Sequence, residues 1–403
     1  MIGPQDWLSD GLVWAGALTL AIWLYLFFLN GGFWRADQIL PAPRQPENAP
    51  RIVAVVPARN EADVVGRSVA SLLSQTYSPP LRVILVDDFS DDGTADAARA
   101  AAAEIGALDR LIVLQGAPRP AGWTGKLWAV SQGVAHAETL SPAPDHLLLT
   151  DADIGHEPRH LERLATLALA RHLDLVSVMV KLHCRSLVER LLIPPFVYFF
   201  QKLYPFPRVN DPRSKTAGAA GGCMLIRREA LAAAGGIAAI RGELIDDCAM
   251  GRLIKAKGPV WLGLAETTES LRPYEGFADI WSMVARSAYR QLNHNPLLLA
   301  GTLFGMIATY IAPYACILAW IASGDGLPGL LGLGAAGLMW ASYVPTLRLY
   351  GLSPLWALTL PLAGALYAAM TFGSAWAHWR GRGGAWKGRV EGGLDGREAA
   401  PPR

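Results

Sequence analysis

The sequence predicts an α/β fold: a sheet of parallel strands with helices on both faces, set between apolar segments at the two ends of the chain. Three observations predict it. From Arg51 onward short β-branched or leucine-rich runs alternate with helix-like stretches, polar residues collect where those runs stop, and long uncharged stretches flank the region. At 403 residues, with 52% hydrophobic and only 17% charged residues, the chain is richer in apolar side chains than an ordinary soluble domain, so membrane segments are expected.

Residues 1–10 carry Asp6 and Asp10 but no Lys or Arg, Gly11–Leu29 run for 19 residues without a charge, and Arg35, Arg44 and Arg51 follow. That length spans a bilayer, and the basic flank belongs on the cytoplasmic side. A cleaved signal peptide would need a basic n-region and a small-x-small site, which "LNGGFWR" does not offer. Residues 1–35 are therefore expected to be an uncleaved anchor with its N-terminus outside. Residues 36–50, "ADQILPAPRQPENAP", hold four prolines and no apolar period, and read as a linker.

A domain is expected over 51–295. "IVAVV" (52–56), "RVILVD" (82–87), "LIVL" (111–114) and "HLLLT" (146–150) are strands by length and flanks, with helical patterns near 61–75, 94–105 and 125–137 between them. From 296 to 380 apolar residues dominate again, with spans near 297–323, 327–346 and 354–377 and, before Arg380, charges only at Asp325 and Arg348. The tail, 381–403, and Arg380 before it are basic, which places the tail in the cytoplasm. One N-terminal and three C-terminal spans would instead leave it outside. A re-entrant or interfacial segment broken at Pro328 or Pro361 would reconcile the two.

Sheets of this kind bind ligands at the carboxyl ends of their strands. There the chain places "PARNEA" (57–62), "DDFSDDGT" (87–94) and "DADIGHEP" (151–158). Ser90, Asp91, Asp92 and Thr94 each suit a helix start, so part of this polarity is capping. Three acidic strand ends on one rim exceed what caps need. A rim rich in carboxylates binds through a metal ion or through hydroxyl and NH donors, and a nucleoside diphosphate sugar meets both descriptions. Its base and ribose donate to carboxylates such as Asp88, and Asp153 with Asp151 offers oxygens to a divalent cation on the diphosphate. Lys126, in "GWTGKLWAVSQG", stands beside the phosphates if a helix begins there. Neither GxGxxG nor GxxxxGK[ST] follows the first strand, which excludes a dinucleotide motif and a P-loop. The formal charge of +2, 36 basic against 34 acidic residues, says little about partners; no nucleic-acid partner is expected, and Cys184, Cys223, Cys248 and Cys316 show no spacing that suggests a zinc site or a disulfide framework.

The set "VPARNE", "VDDFSDDGT", "GK" followed by "QG", "TDAD" and "IDDCAMGRLIKAKG" resembles a family 2 glycosyltransferase with the GT-A fold over residues 50–295. "GWTGKLWAVSQG", "LLTDADIGHEP", "PPFVYFFQKLYPF", "GGCMLIRREAL" and "FADIWSMVAR" resemble the hopene-associated glycosyltransferases of hopanoid-making bacteria. The resemblance implies a Rossmann-like mixed sheet on the nucleotide-diphospho-sugar transferase pattern, in the bacterial inner membrane with its catalytic domain cytoplasmic. It implies that Pro57, Arg59, Glu61, Asp87 and Asp88 line the nucleoside, that Asp153, with Asp151, holds Mg2+ or Mn2+, and that Asp247 is the catalytic base beside Asp246. An acceptor hydroxyl is a poor nucleophile until a carboxylate takes its proton. A helix cap is the competing role for either aspartate.

The family's Gln-x-x-Arg-Trp element is missing. Arg286 is its closest match, then Arg290, and on one helix the two would share a face turned to lipid headgroups. "LLIPPFVYFFQKLYPF" (191–206) is expected to be interfacial or a buried helix, and "VNDPRSKTAGAAGGC" (209–223) a loop that closes over substrate. The reaction implied is inverting transfer from a nucleotide sugar, UDP-linked by preference, to a lipid or lipid-linked acceptor. The rivals are a membrane nucleotidyltransferase, a non-catalytic lipid-binding scaffold and a transporter, the last disfavoured by spans that carry no charges.

Overall fold

A computed structural model describes residues 4–381 together with 385–386 and 389–390, so most of the predicted basic tail lies outside the described residues. The chain divides into two compact units. One is α/β and comprises Asp37–His183 and Arg208–Pro273, with the described residues 385–386 and 389–390; the other is helical and takes the N-terminal segment to Ala36, Cys184–Pro207 and residues 274–381.

In the α/β unit the strands are β1 (Ile52–Ala58), β2 (Arg82–Asp87), β3 (Leu111–Gln115), β4 (His146–Thr150), β5 (Ile154–Gly155), β6 (Leu175–Lys181), β7 (Cys223–Arg227) and β8 (Val260–Ser270). They form one sheet in the order β3-β2-β1-β4-β7-β6-β8-β5. The four strands read from sequence are all present and mutually parallel. The all-parallel expectation fails beyond them, because β7 runs antiparallel to both β4 and β6 and β5 runs antiparallel to β8. The sheet is therefore mixed, as the resemblance implied. β1 is buried at every position, which is why "IVAVV" shows no alternation: helices cover both faces. Gly133 in the helix Gly125–Thr139 allows a close approach to β1, since a Cβ there would lie 2.4 Å from Val55 Cγ1. The proline-rich linker is held against this unit. Leu264 N–H donates to Gln38 O, and the Arg163 guanidinium donates to the carbonyls of Leu40 and Pro41.

Among the described residues the helical unit contains four helices long and apolar enough to cross a membrane: Asp10–Leu29, Pro296–Ser323, Gly326–Leu349 and Pro354–Trp379. Pro328 and Pro361 do not break them. Each stands in the first turn of its helix, where a missing N–H costs nothing. Segment 191–206 lies mostly within a helix, Leu187–Leu203, opened by a capping box between Ser186 and Glu189 and carrying Pro194 and Pro195 inside. Several polar side chains here find partners within the unit, while Thr19 Oγ1 and Arg190 Nε have no hydrogen-bond partner among the described residues. Trp23 Nε1 donates to Thr309 O at 2.8 Å, Tyr198 and Ser342 hydroxyls pair at 2.7 Å, and Tyr367 OH donates to Leu192 O at 2.8 Å.

Candidate active site

The site lies within the α/β unit and is built from strand ends. β1 delivers Pro57 and, just beyond it, Arg59 and Glu61; β2 delivers Asp87 and Asp88; β4 delivers Asp151 and Asp153. The first two ends are laced together. Asp88 N–H donates to Ala58 O at 2.8 Å, Arg59 Nη1 donates to Asp88 O at 2.7 Å and stands 3.6 Å from Asp88 Oδ2, and Ser90 Oγ accepts from Asn60 N–H at 3.0 Å. Asp87 accepts from Ser90 N–H, and Asp92 accepts from the N–H groups of Ala62 and Thr94, while the N-cap of the helix Thr94–Glu104 is Gly93, with no side-chain cap. Asn60 at φ 52° and Phe89 at φ 55° adopt the left-handed region in these two turns, a conformation that costs energy for a bulky residue and is concentrated at binding sites. Glu61, Asp87 and Asp88 are all buried.

The β4 end is organised by cations. Lys126, the second residue of its helix, places Nζ 2.8 Å from Asp151 Oδ1 and 3.2 Å from Asp246 Oδ2. Burial alone would lower its pKa, but the carboxylates of Asp151 and Asp246 overcome that and hold the ammonium charged. Asp246 and Asp247 open the helix Asp246–Lys255, yet neither caps it through a side chain from the N-cap position, which is Ile245. Asp247 Oδ2 instead accepts from Gly221 N–H at 3.0 Å, and Oδ1 accepts from Cys248 N–H at 2.6 Å. Its pKa is raised to about 6, first by desolvation and then by Asp246, against the opposing pull of Lys126 and the two N–H groups. A carboxylate tuned to this range is suited to taking a proton at neutral pH. Pro57, Lys126, Thr150, Asp151, Gly221 and Asp246 line one open cleft.

Three features escaped the sequence reading. Arg272, after β8, contacts Glu61 Oε2 through Nη2 and places Nε 3.4 Å from Asp153 Oδ2, so one guanidinium spans two strand ends. Gly221 supplies the N–H on Asp247; the glycine run 217–223 hinted at close approach but gave no partner. His156, His160 and Cys223 form a buried cluster with ligand atoms within 4.8 Å of one another, where sequence spacing suggested no metal site. Burial pushes the His160 pKa down to about 3 and raises that of the Cys223 thiol.

Arg286 is not among the residues the α/β unit assembles. It ends the helix Phe277–Ala285 in the helical unit, and Arg290 lies on a separate helix, Ala288–Gln291. The continuous basic face expected of the pair is therefore absent. Residues 210–222 carry no regular secondary structure, as expected of a loop.

Asp151 and Asp153 offer hard carboxylate oxygens, with side chains 35% and 21% exposed, and that donor chemistry fits a divalent cation.

The glycosyltransferase-like family 2 model matches residues 50–285. A mannosyltransferase from Pyrobaculum calidifontis, solved with GDP-mannose and Mn2+, superimposes with a TM-score of 0.52 at 19% identity, over 89% of this chain and 99% of its own. Glucosyl-3-phosphoglycerate synthase of M. tuberculosis follows at 0.39 and 18% identity, over 64% of this chain and 87% of its own. Mannosyl-3-phosphoglycerate synthase from Rubrobacter xylanophilus gives 0.37 and 19%, over 69% and 85%. No curated protein matches the chain.

Proposed function

This chain belongs to the glycosyltransferase-like family 2, and from that premise we propose that it is an inverting glycosyltransferase that moves a sugar from a nucleoside diphosphate donor to a hydroxyl of a lipid or lipid-linked acceptor. The observation that carries the proposal is the grouping of Asp151, Lys126 and Asp246 around one cleft, with Asp247 next in the chain and held by the N–H of Gly221, which lines the same cleft. Glu61, Asp87 and Asp88, with Pro57 and Arg59, receive the nucleoside. Asp153 and Asp151 would hold a divalent cation, which when bound supplies positive charge to the departing diphosphate. Lys126 lies where it can neutralise the same developing charge.

Asp247 accepts the acceptor's hydroxyl proton while the oxygen attacks the anomeric carbon. The bond from that carbon to the diphosphate oxygen breaks with its electron pair, and the nucleoside diphosphate leaves from the opposite face. The Gly221 and Cys248 N–H groups hold the carboxylate in place before the reaction. Arg286 remains the proposed match for the missing Gln-x-x-Arg-Trp arginine. The four long apolar helices support a membrane acceptor, and the resemblance motifs support a hopanoid one, in the inner membrane with the α/β unit cytoplasmic.

The test is mass spectrometry of lipids after incubating the detergent-purified chain with UDP- and GDP-sugars, native lipid extract and Mn2+ or Mg2+, beside Asp247→Asn. A new glycolipid absent from the variant is expected. Release of pyrophosphate in place of nucleoside diphosphate would indicate a nucleotidyltransferase. An unchanged profile of glycosylated hopanoids in a strain lacking the protein would remove the hopanoid acceptor.

A further inference from the structure

We propose that His156, His160 and Cys223 form a second, buried metal site with two imidazole nitrogens and one thiolate sulfur as ligands, separate from the carboxylate site and suited to a thiophilic ion, zinc or copper(I). The three residues come from separate elements: His156 follows β5, His160 opens the helix His160–Ala170, and Cys223 opens β7. All are withdrawn from solvent, at 6%, 1% and 0% exposure. A ring nitrogen of each imidazole and Cys223 Sγ lie within 4.8 Å of one another, and His160 Nε2 stands 3.3 Å from Sγ.

The surrounding hydroxyls orient the rings. Thr150 Oγ1 donates its proton to Gly222 O at 2.7 Å, so toward His156 Nε2, 3.1 Å away, it acts as acceptor. His156 therefore carries its proton on Nε2, and Nδ1 presents a bare lone pair. That nitrogen is buried and has no hydrogen-bond partner among the described residues. On the other ring Nδ1 of His160 is engaged by Thr268 Oγ1 at 2.9 Å, which leaves Nε2 for the thiol side of the cluster. Metal-ligating histidines characteristically have one nitrogen fixed by such an outer partner and the other free for the ion. A thiol–imidazole hydrogen bond would satisfy Cys223 and His160, but it would leave the His156 lone pair unmatched in a dry interior. A metal ion bound to one nitrogen of each ring, with Cys223 as the thiolate, would give all three residues a partner.

The position gives the site a role. Thr150 and Cys223 are register partners across β4 and β7, and they directly precede Asp151 and follow Gly221–Gly222. An ion here would clamp the two strand ends that present Asp151 and the Gly221 N–H.

The test is elemental analysis of the detergent-purified full chain after an EDTA wash that strips exchangeable Mg2+ and Mn2+. About one equivalent of zinc or copper per chain is expected in the wild type and in Asp153→Asn, falling at least about tenfold in Cys223→Ser and His156→Gln. Because these variants could fail to fold, Co2+ reconstitution of the wild type gives an independent readout. A thiolate-to-cobalt charge-transfer band is expected. Wild-type chain with neither metal nor that band, or Cys223→Ser chain with undiminished metal, would overturn the proposal.

Discussion

Replacing Lys126 by Met should move the acid limb of the pH–rate profile upward. Asp247, raised to about 6, must be ionised to accept a proton, so kcat/KM for the wild type falls as pH drops through about 6. Lys126 is one of the groups that hold this pKa down. A Cβ at Gly221 would lie 3.5 Å from Lys126 Nζ and 3.6 Å from Asp247 Oδ2, so the two charges are at most about 7 Å apart. At that separation and an effective dielectric near 20, Coulomb's law gives about 2 kcal/mol, reduced to about 1–1.5 kcal/mol because the lysine side chain is 23% exposed. That corresponds to about one pH unit, which places the variant's limb near 7. Asp246→Asn removes the charge that raises Asp247 and should move the limb the other way, below 6, while the double variant returns toward the wild-type position. Release of nucleoside diphosphate between pH 5 and 9 measures all four profiles. If both single variants shift in the same direction, or neither shifts, Asp247 is not the titrating base and the electrostatic reasoning fails.

Asp247→Asn should abolish turnover yet stabilise the fold at neutral pH. A carboxyl whose folded pKa is raised favours the folded state fully below its unfolded pKa near 4, and that contribution is lost as pH climbs through about 6, so the variant's advantage, about 1–2 kcal/mol, should appear above pH 6 and vanish near pH 4 in denaturation midpoints. Arg272→Ala removes a cation 3.4 Å from Asp153 and should tighten the Mn2+ requirement of activity about three- to tenfold; an unchanged Mn2+ titration would separate Arg272 from the metal-binding carboxylates. Gly251→Ala would bring a Cβ to 2.6 Å from the carbonyl carbon of Gly218, forcing apart the Asp246–Lys255 helix and the loop it supports, at a cost of about 1–3 kcal/mol and with faster proteolysis in 210–222. Equal cleavage rates in the two proteins would show that the loop does not depend on that packing.

The local pattern was sufficient for much of this protein. β1 to β4 and the helix at 125–139 follow from runs of apolar residues bounded by turn residues, and the four long apolar helices among the described residues follow from length and lack of charge, because each of these signals acts over a few neighbouring residues. The acidic strand ends were equally legible, since a carboxylate beside a buried strand stands out in sequence. Tertiary structure alone decided what these residues meet. The strand order places antiparallel β7 beside β4, bringing Cys223 and the glycine before it against Thr150 and Asp151 from more than seventy positions away. Lys126 reaches Asp151 and Asp246 together, Arg272 joins Glu61 to Asp153, and two histidines face a cysteine, none of which any periodicity encodes. The break between Arg286 and Arg290 was equally hidden, because both halves are acceptable helix and only the packed chain ends one before the other begins. Local sequence sets which segments form and where their polar ends lie; the pairing of distant strands, paid for by the burial of the whole sheet, sets which of those ends share a site.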